Sequence, residues 1–122
     1  DLAKPPWTPP ASLFPIVWTA LYIMMAVALW RLWERAAPSL ARNWAIVLFL
    51  VQLALNAAWS PLFFGAHATR LALIDIMILL AAIALTMVAS ARADRIATWL
   101  LGPYLGWVAY AATLNGGIVW MN

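Results

Sequence analysis

The sequence contains no cysteine, so disulfides, thiolate metal sites and thiol chemistry are all excluded. It has one histidine, His67, and four acids, Asp1, Glu34, Asp75 and Asp94, too few and too scattered for a multi-ligand metal site. Charged side chains make up only 9% of the chain, against about 25% in a water-soluble domain, so its surface cannot be covered with polar groups. The seven basic residues, Lys4, Arg31, Arg35, Arg42, Arg70, Arg92 and Arg95, are dispersed and offer nucleic acid no patch to bind. What fills the sequence instead is apolar: 67% hydrophobic residues, with nine Trp among 122 positions. A chain of this kind belongs in a lipid bilayer.

Charges and turn residues divide the chain into four apolar stretches, 11–30, 44–64, 71–91 and 96–115. Each is close to the roughly 20 residues that a helix needs to cross the hydrocarbon core. Asp75 is the only formal charge within them. Short connections force neighbouring helices to run antiparallel, so the expected fold is all-α: a polytopic transmembrane helical bundle forming a single domain over 1–122. The first and third connections carry Arg31, Arg35, Arg42, Arg92 and Arg95, whereas the opposite side carries Lys4 and Arg70. Basic loops stay on the cytoplasmic face, which places both ends of the chain outside. No basic segment precedes the first stretch, so a signal peptide is not expected there.

Tryptophan is the residue in surplus. Trp30, Trp33, Trp44 and Trp99 fall at or beside the Arg-bearing helix ends, where an aromatic belt accounts for them. Trp7 and Trp120 belong to the outer head and tail. Trp18, Trp59 and Trp107 lie deeper, at roughly 10, 8 and 12 Å from the outer helix ends on a rise of about 1.5 Å per residue. An indole N–H at such depth needs a partner or costs a few kcal/mol.

Helical spacing gathers the unusual residues onto faces. Gln52, Asn56, Trp59 and Phe63 form one stripe; Tyr104, Trp107, Ala111 and Asn115 form another; Trp18 and Tyr22 are four apart; Asp75, Leu79, Ala82 and Thr86 share a face. Amides and carboxyls are disfavoured toward lipid, so these faces should turn inward. Two readings stay open: interhelical hydrogen bonding and packing, or a pocket for a flat apolar molecule with small Ala111 leaving room. Gly102 and Gly106 form a GxxxG spacing that permits close helix approach, within the bundle or between copies. Pro61 and Pro103 should bend or locally open their helices, and His67 reads as a solvated loop residue.

Several ordered segments resemble the TspO/MBR family of bacterial tryptophan-rich sensory proteins and the mitochondrial translocator protein. They are Leu2-Ala3-Lys4-Pro5-Pro6-Trp7-Thr8-Pro9-Pro10, Trp18-Thr19-Ala20-Leu21-Tyr22, Asn56-Ala57-Ala58-Trp59-Ser60-Pro61-Leu62-Phe63-Phe64-Gly65, Pro103-Tyr104-Leu105-Gly106-Trp107-Val108 and Ala111-Ala112-Thr113-Leu114-Asn115. The resemblance implies a membrane protein that binds porphyrins such as protoporphyrin or haem, or sterol-like molecules, within a helical bundle. It implies ligand-binding roles for Trp18, Tyr22, Asn56, Trp107 and Ala111, with Asp75 on the third helix; the stripe on the second helix adds Trp59. The loop 4–10, with Trp7, would be a lid. The family fold has five helices, of which the four here would be the last. No His lies within a span to act as an axial haem ligand, so a metal-free or loosely ligated tetrapyrrole is expected as ligand, with no required cofactor. The partners expected are the bilayer, the small molecule and a homodimer mate or larger complex; the location is an integral membrane one, in a bacterial envelope. The alternatives to a sensor or transporter are an accessory subunit of a pigment or respiratory complex and, last, a porphyrin-degrading enzyme.

Overall fold

A computed structural model of the chain describes residues 5–10, 12–65 and 68–122. Lys4 of the lid loop, Ala11 at the start of the first stretch and His67 lie outside the described residues. Four helices form: α1 (Leu13–Trp30), α2 (Leu40–Ser60), α3 (Thr69–Ala93) and α4 (Arg95–Met121). Two of them run on into π-helical turns, Arg31–Arg35 after α1 and Pro61–Gly65 after α2. In the first of these, Ala36 N–H donates to the Arg31 carbonyl at 2.9 Å, five residues back. Pro61 has no N–H to continue the α-helical ladder, and the chain widens there rather than simply bending. Pro103, by contrast, is carried within an unbroken α4.

The helices form a curved row in the order α2, α3, α4, α1. Each buries one seam on which intervals of three and four alternate. On α3 it is Ala72, Ile76, Leu79, Ile83, Thr86 and Ser90; on α4 it is Ala97, Leu101, Tyr104, Val108, Ala111, Asn115 and Ile118. The α2 seam runs Ala45, Phe49, Gln52, Asn56 and Trp59, and α1 contributes Leu21, Met25 and Ala28. This is the packing of left-handed membrane bundles, and fully buried Ala28, Ala45, Ala72 and Ala97 let the helix backbones approach. Away from the seams the surface is Leu, Ile, Val and Trp, as lipid requires.

α1, α2 and α3 are each long and apolar enough to cross a membrane. α4 is longer, 27 residues, but Gly102, Pro103, Tyr104, Asn115, Gly116 and Gly117 dilute its apolarity. It is flanked by α3 and α1, so much of that polarity is enclosed by the bundle and not presented to lipid. The fourth stretch was expected to stop at Asn115 and instead continues six residues to Met121. Asn115 is fully buried and hydrogen-bonded inside the bundle, so it does not end the helix.

The Arg-rich end is held by charge and aromatic contacts. The Arg31 guanidinium donates to the Asp94 carboxylate at 2.7 Å, and the same carboxylate caps α4 by accepting from Ile96 N–H at 3.2 Å. Arg42 donates to the Leu32 and Trp33 carbonyls, freed by the π-turn, at 2.9 and 2.8 Å. Arg35 lies over the Trp30 ring and Arg42 over Trp33. Trp30, Trp33, Trp44 and Trp99 are all exposed, in keeping with belt positions. We predict that Asp94→Ala lowers unfolding free energy in detergent by about 1–2 kcal/mol, through loss of both the cap and the partly buried ion pair. Asp94→Asn should lose less, because its side-chain carbonyl can still cap; equal losses would show that the cap contributes nothing.

Candidate functional site

Two polar relays cross the bundle. In the first, Tyr104 OH donates to Gln52 Oε1 at 2.6 Å and accepts from Asn56 Nδ2 at 2.6 Å, while Asn56 Oδ1 accepts from Tyr22 OH at 3.3 Å. Gln52, Asn56 and Tyr104 are buried, so one phenol and two amides pin α2 to α4 and tie in α1 through Tyr22. In the second, Trp59 Nε1 donates to Asn115 Oδ1 at 3.0 Å, and Asn115 Nδ2 donates to the Thr69 carbonyl at 2.9 Å. This relay joins α2, α4 and the first turn of α3. It gives one of the deep indoles, Trp59, the partner its N–H needs, whereas the Trp107 N–H is buried without one among the described residues.

Beside these relays, at the end of the bundle away from Arg31 and Asp94, lies a cavity of about 470 Å³. Its walls come from three helices and a loop. Phe14, Pro15 and Trp18 are contributed by α1, Trp59, Ser60 and Phe63 by α2 and its π-turn, and Ala111, Leu114 and Ile118 by α4; Thr8 and Pro9 cover it. Trp59 and Phe63 stack at 4.8 Å with an interplanar angle of 18°, a flat aromatic wall that the bond to Asn115 holds in orientation. Trp18 is set edge-on to Tyr104 and tilted against Tyr22. Ala111, on the α4 seam, presents only a methyl group, leaving space between the aromatic walls. Pro15 and Ser60 are exposed and mark the open side.

The covering loop is fastened to α4. Tyr110 OH donates to the Trp7 carbonyl, and Thr8 Oγ1 donates to the Pro5 carbonyl at 2.8 Å, closing a tight turn. A Cβ on Gly117 would come within 2.5 Å of Pro5 Cγ and 3.5 Å of the Trp7 ring, so the absence of a side chain there lets the loop sit down on the helix.

Of the residues singled out from sequence, Trp18, Trp59 and Ala111 line the cavity. Tyr22 and Asn56 stand beside it in the first relay, with Tyr22 partly exposed. Trp107 lies off the cavity wall, edge-on to Phe14 and tilted against Tyr110, thereby backing a wall residue. Asp75 also lies off the wall, half-buried on α3 with Oδ2 enclosed and without a partner among the described residues. Trp7 does not line the cavity; its carbonyl is bound by Tyr110 and its ring lies beside Gly117, while Thr8 and Pro9 supply the covering surface. Gly102 and Gly106 mediate no close approach within the described bundle: a Cβ at either would meet nothing within 4 Å. Sequence reasoning passed over Phe14, Pro15, Ser60, Leu114 and Ile118. Phe14 is four residues before Trp18, and Leu114 and Ile118 continue the Ala111 face at offsets of three and seven, so helical spacing carried that signal.

Among the described residues no titratable side chain lines the cavity and no cluster of metal-ligating groups exists. The arrangement can enclose and orient a flat apolar molecule by contact; it offers no acid–base pair for chemistry. It is an all-helical integral membrane protein with an aromatic cavity near one membrane face. The chain belongs to the TspO/MBR family, whose sequence profile matches residues 1–121. It is 46% identical over 121 residues to the tryptophan-rich protein TspO of Chlorobaculum tepidum, covering 99% of this chain and 77% of that one. It is 39% identical over 117 residues to the human translocator protein, covering 93% and 68% respectively. Against the tryptophan-rich sensory protein of Cereibacter sphaeroides the identity is 37% over 115 residues, covering 94% and 70%.

The second relay yields a prediction. Asn115→Leu leaves the Trp59 indole N–H without the Asn115 acceptor, and a buried orphan donor costs about 1–3 kcal/mol. We expect destabilisation in that range in detergent unfolding, together with loss of near-ultraviolet circular dichroism as the Trp59–Phe63 stack becomes mobile. An unchanged aromatic signal would show that Asn115 does not orient Trp59.

Proposed function

We propose that the protein is a membrane-embedded binding protein, a sensor or transporter, for porphyrins or similar flat apolar ligands. The observation that carries this reading is the cavity itself. Its 470 Å³ falls within the roughly 300–1,000 Å³ typical of small-molecule sites, and its walls are Trp18, Phe14, Trp59 and Phe63. Aromatic faces stack on a planar macrocycle at little entropic cost, since two of the four are already fixed against each other. The Ser60 and Thr8 hydroxyls at the cavity give polar edge groups of such a ligand a place to lie. Relatives named translocator protein and sensory protein support a ligand-handling role without naming the ligand. With no His within a span, the tetrapyrrole would be held by ring contacts and not by an axial protein ligand.

The test is titration of the detergent-solubilised protein with protoporphyrin, read by tryptophan quenching. Ala111→Phe fills the space between the walls and should weaken binding at least tenfold, and Trp18→Ala should weaken it through loss of one wall. Trp107→Phe, off the wall, should leave affinity within about twofold. Equal affinity in all four proteins would refute the cavity as the binding site. A helical circular dichroism spectrum for each variant separates lost binding from lost folding.

A further inference from the structure

A second concavity, of about 440 Å³, lies at the opposite end of the bundle, on the lipid-facing side of α2 and α3. Leu40, Ala41, Trp44 and Leu48 form one wall and Leu85, Val88, Ala89 and Arg92 the other. The helices are antiparallel, so residues 40, 44 and 48 descend beside 92, 88 and 85. The groove therefore runs about 12 Å into the membrane, eight residues at about 1.5 Å each. Its lower part is entirely aliphatic. Its mouth carries the Trp44 indole and the Arg92 guanidinium.

Arg92 is the arginine that lines this groove, and with Arg95 it is set apart from the others at this end. Arg31 is paired with Asp94, Arg42 is bound to two carbonyls, and Arg35 stacks on Trp30. Arg92 makes no ion pair or hydrogen bond among the described residues, and it is exposed. Across the mouth, α2 begins at Leu40 with no acidic residue in its first turn, its N-terminus capped by Ser39 Oγ, which accepts from Arg42 N–H at 3.1 Å. An apolar channel of acyl-chain proportions, opening beneath a free cation and a helix N-terminus at the level of an interfacial Trp, matches one occupant by chemistry.

We infer that this groove binds a phospholipid with an anionic headgroup. One acyl chain lies between Leu48 and Leu85, and the phosphate is held by Arg92 at the mouth. The bound lipid would cover part of the α2–α3 face and keep Arg92 from being an unpaired charge at the membrane boundary. The site is separate from the aromatic cavity and uses none of its residues.

The test is lipid retention by the full chain, extracted in mild detergent from vesicles of equal phosphatidylglycerol and phosphatidylcholine and analysed by native mass spectrometry. Wild type should retain phosphatidylglycerol preferentially. Arg92→Gln should lower that preference by about fivefold, the effect of one basic residue at an anionic headgroup, while Arg95→Gln should not change it. Ala89→Phe, which fills the groove from a half-buried position on its wall, should reduce retention of both lipids, with a helical circular dichroism spectrum showing that the variant still folds. Equal retention of the two lipids by wild type would overturn the proposal. Equal losses for Arg92→Gln and Arg95→Gln would overturn it too, reducing the effect to general surface charge. A homodimer whose Ala89→Cys copies cross-link across this groove and which carries no lipid would show that a second chain is the occupant.

Discussion

A polar group placed in hydrocarbon has no water to turn to, and the structure is organised around that fact. Tyr104 OH donates to Gln52 and accepts from Asn56, and Asn56 accepts from Tyr22, so these groups find their partners across helix boundaries, with Gln52 Nε2 left unpartnered among the described residues. The pairing fixes how far α2 and α4 can slide past each other. Asn115 does the same nearer the end of the bundle, where it decides the angle of the Trp59 ring. The cavity wall is thus a consequence of hydrogen-bond satisfaction: remove the amides and the aromatic residues would still be present but would no longer face one another.

The two ends of the molecule solve different problems. At one end the π-turn after α1 frees carbonyls that Arg42 binds, Asp94 serves both Arg31 and the start of α4, and an exposed ring of Trp sits where headgroups begin. At the other end charge is scarce, and the Pro61–Gly65 π-turn takes Phe63 to a position where it stacks on Trp59. A π-turn in place of a tight stop costs hydrogen-bond regularity, and one of its residues, Phe63, lines the cavity.

Much of this was legible in the residues. The apolar stretches correspond to the helices, and the stripe of Gln52, Asn56 and Trp59 is the α2 seam. The deep Trp59 and Trp18 do stand at the cavity. The reading blurred where periods of three and four cannot be distinguished by inspection. Trp107 and Asp75 were placed on inward faces, but the α4 seam passes through Tyr104 and Val108, and the α3 seam through Ala72 and Ile76. At about 100° per residue, Trp107 and Asp75 each lie about 60° to one side of those seams, enough to move a side chain off the cavity wall. The covering loop was expected from the family resemblance. Its attachment through Tyr110 and Gly117 was not, because a contact spanning over a hundred residues leaves no local pattern.

The central claim is that a planar ligand enters the cavity bounded by Trp59 and Trp18, and single-tryptophan proteins address it most directly. In a variant whose other Trp residues are replaced by Phe, protoporphyrin should quench Trp59 emission saturably, with one ligand per chain. The corresponding protein retaining only Trp99, which is 79% exposed on the lipid-facing surface at the far end of the bundle, should show only weak, non-saturating quenching. Equal, non-saturating quenching of both would contradict the account and reduce the interaction to partitioning of porphyrin into the membrane phase.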